Sequence, residues 1–323
     1  MATRNTNTNT TTGYWDEAFY NAYTAGFKQV LQESKDAYAG TIQTDSIEGA
    51  NKSYDFVGTI DLTKKTTRFE DLPIDEGTHN RRWMAPFWYR KRVFVDDEDQ
   101  VALLADPTSA YIQAIAKGVI RLKNDVVYAA FNANVSGGEV PGENTYVLSN
   151  TAYTVSTAIG RTIVHDTTNA FAAGGTSTGL TIEKLILARQ ALIELKNDPN
   201  QMFYLAIGPK QMSDLLREAE TQSIDTSIVR SLYAGVINEY MGFRFIIDHN
   251  VVVGSSNAVD TTTSIFPCFA WAKEGMLFAQ QLSPTFAVEK NIDKQVMQIS
   301  ARVGMNSIRM DENSVLKIEC ANV

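Results

Sequence analysis

The feature that most limits what this chain can fold into is one long helical pattern beginning at Asp106. Asp106 can cap it, and Pro107 is favoured at the first helical position, where its missing N–H is not needed. Ile115, Val119, Leu122, Val126 and Ala130 then recur at steps of four, three, four and four, and Gly118 is the one breaker before Ser136. A helix of about 28 residues spans about 42 Å, against a mean of about 11 to 12 residues in globular proteins. A rod of that length acts as a spine, along which the other elements must be laid.

Two extended pieces precede it. Residues 1–13 are polar and rich in Asn and Thr, and a mobile tail is expected there. Phe19, Tyr23, Phe27 and Leu31 follow at every fourth position, an aromatic stripe on one helix. Such a helix needs a partner surface, either its own domain or a neighbouring subunit. Residues 54–95 read as a long β-hairpin. Its rising strand is Tyr54–Leu62, with Phe56, Ile60 and Leu62 on one face. Its returning strand is Arg82–Val95, dense in aromatic residues, and Pro86 marks it as an edge. The tip, Thr63–Arg81, mixes Lys64, Lys65 and Arg68 with Glu70, Asp71, Asp75 and Glu76, and Gly77 suits a turn. A two-stranded hairpin is marginal in water. This one should rest either on something outside the molecule or on a sheet within its own domain.

Beyond the spine, residues 136–180 are rich in Gly, Ser, Thr and Asn. They read as a loop excursion with strand-like pieces at Thr145–Leu148 and Arg161–Val164. Thr181 caps a second helix, Ile182–Lys196, with Leu185, Ala188, Leu192 and Leu195 on one face. Met202–Ile207 is a short apolar strand, and Gly208–Pro209 opens a third helix with Met212, Leu215 and Leu216 inward. Phe243–Asp248 is a strand entered through Gly242. The C-terminal segment alternates as two strands, about Phe286–Val303 and Ser314–Glu319, with a turn region at Gly304–Asn313. Helices and strands are segregated rather than strictly alternating, so the fold class is α+β.

Composition excludes more than it identifies. The chain is 44% apolar and 20% charged, a globular balance. Its 29 Lys and Arg stand against 37 Asp and Glu, a net charge of −8. That argues against a broad nucleic-acid-binding surface, which is normally basic. No apolar run approaches the roughly 18 residues of a membrane-spanning helix. Cys268 and Cys320 are too few for a disulfide framework and read as buried, reduced thiols. His79, His165 and His249 are the only histidines, which weighs against histidine-based metal or acid–base chemistry.

Gly174–Gly179 has the glycine spacing of a phosphate loop, but Leu180 stands where the phosphate-reaching Lys belongs. The run Asp96–Asp99 lacks the interleaved spacing of a calcium loop and reads as a solvated patch. Nothing assembles into a nucleophile, a base and an oxyanion site. The expectation is no catalytic residue, no cofactor and no metal.

Four segments taken in order carry a resemblance. Arg90–Asp96 leads through Asp106–Pro107 into a helix bearing Arg121 and Asp125. Gly235–Phe243 reads Gly-Val-Ile-Asn-Glu-Tyr-Met-Gly-Phe. Phe269–Gly275 follows, and then Gly304–Asp311 with Val315–Ile318. This set, spread over about residues 14–323, resembles the major capsid proteins of tailed bacteriophages, the Hong Kong 97-type fold. Gly235–Phe243 is similar to that family's Gly-x-Ile-x-Glu-x-x-Gly-Phe segment.

The resemblance implies an N-terminal arm at residues 1–50 and an extended loop at 51–95 that reaches over an adjacent subunit. It implies a peripheral domain at 96–200 and 284–323 around the spine helix, and an axial domain at 201–283. The implied function is structural: self-assembly as hexamers and pentamers into an icosahedral shell around a double-stranded DNA genome. The implied place is the virion, after assembly in the host bacterial cytoplasm. Inter-subunit contacts are expected at Phe19, Tyr23 and Phe27 of the arm, and at Lys64, Lys65, Arg68, Glu70, Asp71, Asp75 and Glu76 of the loop. Some relatives join subunits by a Lys–Asn isopeptide bond, and Lys64 and Lys65 lie in the corresponding loop.

No charged helical scaffold segment precedes the arm, so a separate scaffolding protein is expected, along with a portal and a decoration protein. Packaged DNA is contacted non-specifically at most, and no membrane is involved. On the same fold the alternative is an encapsulin-like compartment; outside it, an unrecognised hydrolase or binding domain.

Overall fold

The computed structural model describes residues 35–57, 60, 62–68, 71, 79–96, 108–137, 144–146, 161–163, 179–195, 198–222, 239–251, 265–292, 294 and 296–321. The tail, the aromatic stripe of the arm, His165, the glycines at 174 and 175 and the acidic residues 97–99 lie outside them. In chain order the elements are β1 (Gln43–Ser46), β2 (Lys52–Val57), β3 (His79–Met84), β4 (Phe87–Asp96), α1 (Thr108–Phe131), β5 (Val135–Gly137), β6 (Asn144–Tyr146) and β7 (Arg161–Ile163). They continue as α2 (Ile182–Glu194), β8 (Phe203–Ile207), α3 (Pro209–Gln222), β9 (Glu239–Tyr240), β10 (Phe243–Ile247), β11 (Ile265–Ala272), β12 (Met276–Asn291), β13 (Val296–Arg309) and β14 (Val315–Ala321). The chain divides into two compact units. The smaller comprises Met1–Lys35, Trp88–Arg121 and Leu282–Gly304; the larger comprises Asp36–Phe87, Leu122–Gln281 and Met305–Val323.

The larger unit is built on a six-stranded sheet in the order β7-β14-β11-β8-β10-β9. β11 lies inside it, and Cys268, Phe269, Ala270 and Trp271 are all buried, which is why this run is continuously apolar rather than alternating. Pro267 has no N–H to give. It pairs with Glu319 of β14 and lies beyond the stretch, Phe269–Ala272, that pairs with β8. β8 and β10 run parallel, from Phe203↔Phe243 to Ile207↔Ile247, and α3 supplies part of the crossover a parallel pair requires. β9 and β10 form a hairpin through Met241 and Gly242, at φ of 53° and 78°, the double positive φ of a type I′ turn. Arg189 of α2 donates to the Met241 carbonyl at 3.2 Å, holding that turn. Thr181 caps α2 as expected, its hydroxyl accepting from the Lys184 N–H at 3.3 Å.

The spine is present but shorter than its pattern promises, at 24 residues. Its C-terminal part is the most buried. Val126, Val127, Tyr128, Ala130 and Phe131 are buried, whereas Ile115, Val119 and Leu122 are half-buried. Phe131 stacks on Phe269, with centroids 5.2 Å apart and rings 12° from parallel, and packs against Trp271 at 4.6 Å and Tyr38 at 6.0 Å. The Trp271 indole donates to the Thr41 carbonyl at 3.0 Å, and the Tyr38 hydroxyl donates to Asp248. The chain just before β1 is thereby locked into the larger unit.

Two expected strands are corrected. The returning strand Arg82–Val95 is broken at Ala85–Pro86. β3 belongs to a sheet of order β2-β3-β5-β6, and β4 to another of order β1-β12-β13-β4. The proline cannot continue a ladder, and the chain uses it to change sheets. The C-terminal strand Phe286–Val303 does not exist as one piece. β12 and β13 meet instead at a turn near Ile292, and β13 runs through Gly304 to Arg309. The turn has no Gly or Pro to announce it. Gly304 is a mid-strand position where a Cβ would lie 3.4 Å from the Trp88 ring, so it marks close approach rather than a strand end.

Phe131→Ala is expected to destabilise the protein by about 3–5 kcal/mol, because the cavity opens among rings that cannot collapse into it. Chemical denaturation measures this; a loss below about 1 kcal/mol would show that the aromatic cluster is not the packing centre.

Candidate functional site

The aromatic ribbon is anchored at one end and exposed at the other. β2 and β3 pair antiparallel from Lys52↔Met84 to Val57↔His79. β3 also pairs with β5 at Arg82↔Gly137 and Trp83↔Ser136, so the ribbon's base belongs to a four-stranded sheet within the larger unit. Buried cations hold that base. Arg82 Nη1 donates to the Arg309 carbonyl at 2.6 Å, and Arg309 Nη1 donates to the Phe131 carbonyl at 2.7 Å. The Arg82 guanidinium also lies 5.2 Å from the Phe56 ring centroid. Asp45 accepts from Lys52 at 2.5 Å and from the Tyr54 hydroxyl at 2.9 Å. Lys52 above all, with the Ser46 amide and Tyr54, holds the Asp45 carboxyl below its ordinary range. Burial and the bond to Asp45 push the Tyr54 hydroxyl up.

Past Val57 the ribbon faces water. Ile60 is 55% exposed and Leu62 98%, an unusual outlay of large apolar surface on a polar loop. Lys64, Lys65, Arg68 and Asp71 are all exposed. Glu70, Asp75 and Glu76, and Phe19, Tyr23 and Phe27 of the arm, lie outside the described residues.

A second exposed surface lies in the smaller unit, on β4 and its neighbours. Arg90, Lys91, Arg92, Phe94 and Arg302 are exposed there, and Phe286 and Val288 are exposed on β12, with Ile292 in the turn after it. From the sequence this region reads as strand. The signal that such a reading passes over is the run Trp88–Phe94, in which aromatic and basic residues share one period-two face.

Chemistry-bearing side chains are mostly elsewhere. His249 is exposed beside the buried Asp248. Cys268 and Cys320, on the paired strands β11 and β14, are free and buried. Hydrogen bonding to Cys320, together with burial, raises the Cys268 thiol well above its ordinary range. Beside them the buried Lys184 ammonium donates to the carbonyls of Gly179 and Glu319, at 2.9 and 3.1 Å. These groups are packed between sheet and helix, with no solvent face to admit a substrate. Among the described residues no group of three or more His, Cys, Asp or Glu could hold a metal ion. Among them, too, no helix is long and apolar enough to cross a membrane.

Two outcomes test the anchor. Arg309→Met should cost about 1–3 kcal/mol, since it takes from the buried Phe131 carbonyl its guanidinium donor. Arg81→Ala breaks the exposed Arg81–Asp55 pair, at 2.6 Å, and a contact 5.8 Å from the Trp83 ring centroid, and should cost less than about 1 kcal/mol. Equal losses in urea melts would show that the relay carries no special weight. A pH test follows from Asp45. Its folded pKa is depressed, so its contribution is present above the ordinary carboxylate value of about 4 and is lost as pH falls through the folded value. Asp45→Asn should flatten that acid limb of the stability–pH curve; an unchanged limb would refute the assignment.

Comparisons with known proteins place this geometry. A family model for phage capsid proteins matches residues 16–322. A search of curated proteins found no match. Among solved structures, the capsid of cyanophage P-SCSP1u is 13% identical, with a TM-score of 0.65 over 95% of this chain and 94% of that one. The acid-stable capsid of Helicobacter pylori bacteriophage KHP30 is 7% identical, with a TM-score of 0.66 over 96% and 98%. The capsid of a native GTA particle is 11% identical, with a TM-score of 0.63 over 93% and 95%. Identities this low speak to the fold alone. The family places the protein in the virion, in a structural role. The chain belongs to the phage capsid protein family, and its fold is the Hong Kong 97-type fold of phage major capsid proteins.

Proposed function

We propose that this chain is the repeating subunit of the icosahedral shell of a tailed bacteriophage, assembling as hexamers and pentamers around a double-stranded DNA genome. The observation that carries the reading is the exposed end of the ribbon, with Leu62 almost wholly in water, on a chain of this family. A subunit that stayed alone would gain nothing by leaving that surface wet. Residues 51–95 act as the extended loop lying on an adjacent subunit, and residues 1–50 as an arm whose stripe of Phe19, Tyr23 and Phe27 does the same. Residues 96–200 and 284–323 form the peripheral domain, and 201–283 the axial domain around the symmetry centres.

A shell is held by many contacts of modest strength, and standard interfaces bury about 1,600 Å². Lys64, Lys65, Arg68, Glu70, Asp71, Asp75 and Glu76 add little energy as exposed pairs, but mixed charge fixes register and rejects misplaced neighbours. The role is structural, and no catalytic step is assigned to any side chain. Assembly takes place in the host cytoplasm with a scaffolding protein, a portal and a decoration protein as partners.

Replacing residues 63–77 with a short Gly–Ser linker should leave cooperative thermal unfolding intact and abolish shells in negative-stain microscopy and sedimentation. Loss of the unfolding transition would show that this stretch serves the subunit's own core. Normal shells from the shortened chain would sink the assembly role of the ribbon.

A further inference from the structure

Where α2 packs on β14, the larger unit holds a cluster of reactive groups that a structural role leaves unused. β11 and β14 run antiparallel, with Phe266↔Cys320 and Cys268↔Ile318 as opposed pairs. Cys320 is therefore two positions from the residue facing Cys268. The two thiols share one face of the sheet, on a diagonal across a single ladder. Both are fully buried and free. Their sulfurs share a hydrogen bond, Cys268 donating and Cys320 accepting. The Gly208 N–H, just ahead of α3, also donates to the Cys268 sulfur. The buried Lys184 ammonium is held beside them by the carbonyls of Gly179 and Glu319, and Glu319 adjoins Cys320 in the chain. Two carboxylates face Cys320, and each has its own cation: Asp214 pairs with Lys210 at 2.5 Å and Glu319 with Lys317 at 2.9 Å.

Packing alone does not call for this. A single buried Cys behaves as a small apolar residue, but two thiols in contact beside a buried ammonium do not. An ammonium is costly to bury and needs a compensating charge or acceptor. Placed here, it favours the thiolate of Cys320, the form that reacts. The reach is sufficient as well. Sulfurs in hydrogen-bond contact must close about 2 Å to reach the covalent S–S distance. Rotation of the two side chains and a small strand shift supply that.

We infer that Cys268 and Cys320 form an oxidisable dithiol site, which a peroxide converts into a cross-strand disulfide locking β11 to β14. The Cys320 thiolate attacks one peroxide oxygen, the O–O bond breaks, and hydroxide leaves and takes up a proton as water. Cys320 is then a sulfenic acid. The Cys268 sulfur attacks the Cys320 sulfur, the S–S bond forms, the S–O bond breaks, and the hydroxyl leaves with the Cys268 proton as a second water. The thiols give up two electrons and the peroxide accepts them. A molecule as small as hydrogen peroxide reaches the pair through local opening of the layer over the sheet. The bond closes a loop of about fifty residues that contains β12 and β13, which restricts the unfolded chain. A virion is built where thiols are kept reduced and is released where they are not, so the lock is set after assembly. That timing rests on the shell reading above; the bond itself does not.

The test treats the full chain, purified under reductant, with hydrogen peroxide. Its intact mass should fall by about 2 Da, and an unreduced digest should yield one linked peptide pair joining Cys268 to Cys320. The oxidised chain should melt about 5 °C higher, and the gain should vanish on reduction. Cys268→Ala and Cys320→Ala should each abolish the mass loss and the gain in melting temperature, and add oxygen to the remaining sulfur instead. A wild-type mass that does not fall, or that rises by added oxygen with both sulfurs unlinked, would overturn the proposal, whether or not the variants fold. So would a link found only between two chains, or a linked chain that melts no higher than the reduced one. None of these readouts uses shell assembly, so a failed shell reading and a failed disulfide are told apart.

Discussion

Two buried guanidinium groups in series tie the outlying ribbon to the end of the long helix. The Phe131 carbonyl is one of the orphan acceptors that every helix leaves at its C-terminus, and Arg309 of β13 satisfies it. The Arg309 carbonyl in turn takes a hydrogen bond from Arg82 of β3. A cation at that helix end is also favoured by the helix dipole. The arrangement is costly to assemble, because each charge gives up water. Once formed it is hard to slip, because a shift of one residue would strand a buried charge. On the other side of Phe131 the rings of Phe269, Trp271 and Tyr38 close the same point with apolar contact. Directional and non-directional forces thus converge on a single residue.

A rigid root matters because of what grows from it. Beyond Val57 the described residues 60, 62–68 and 71 are exposed, and the ribbon's base is fixed where β3 joins β5 and Arg82 is buried. A loop meant to meet a partner gains affinity when its base is already fixed, since less freedom is lost on contact. The exposed apolar residues Ile60 and Leu62 stand just past this root. The arrangement suits a protein whose work is to hold others of its kind in place. Among the described residues, Cys268, Cys320 and Lys184 are sealed in packing.

How much was legible in the sequence varied with the kind of signal. The helix at Ile182 was readable because its cap, Thr181, and its apolar spacing are both local. The strand Phe243–Ile247 was readable because Gly242 announces a turn that demands positive φ. The end of the ribbon's returning strand was not, because Pro86 allows either an edge or a change of sheet, and only the partner strands decide. Gly304 was misread for the same reason. A glycine in a strand marks a break or a close neighbour, and the neighbour here, Trp88, lies more than two hundred positions away in the chain. The basic face escaped notice because its cations come from two strands far apart in the chain, β4 and β13.

The amino-acid sequence by itself determined the long spine, the exposed mixed-charge loop, the α+β class and the order of parts that marks the family. These rest on periodicity, caps and composition, which act over a few residues. Only the tertiary structure decided where the strands break, that Arg82 and Arg309 are buried, and that basic and aromatic side chains share one face. Those outcomes depend on pairing between distant segments, where a buried polar group must find its partner, and no local pattern encodes which partner that is.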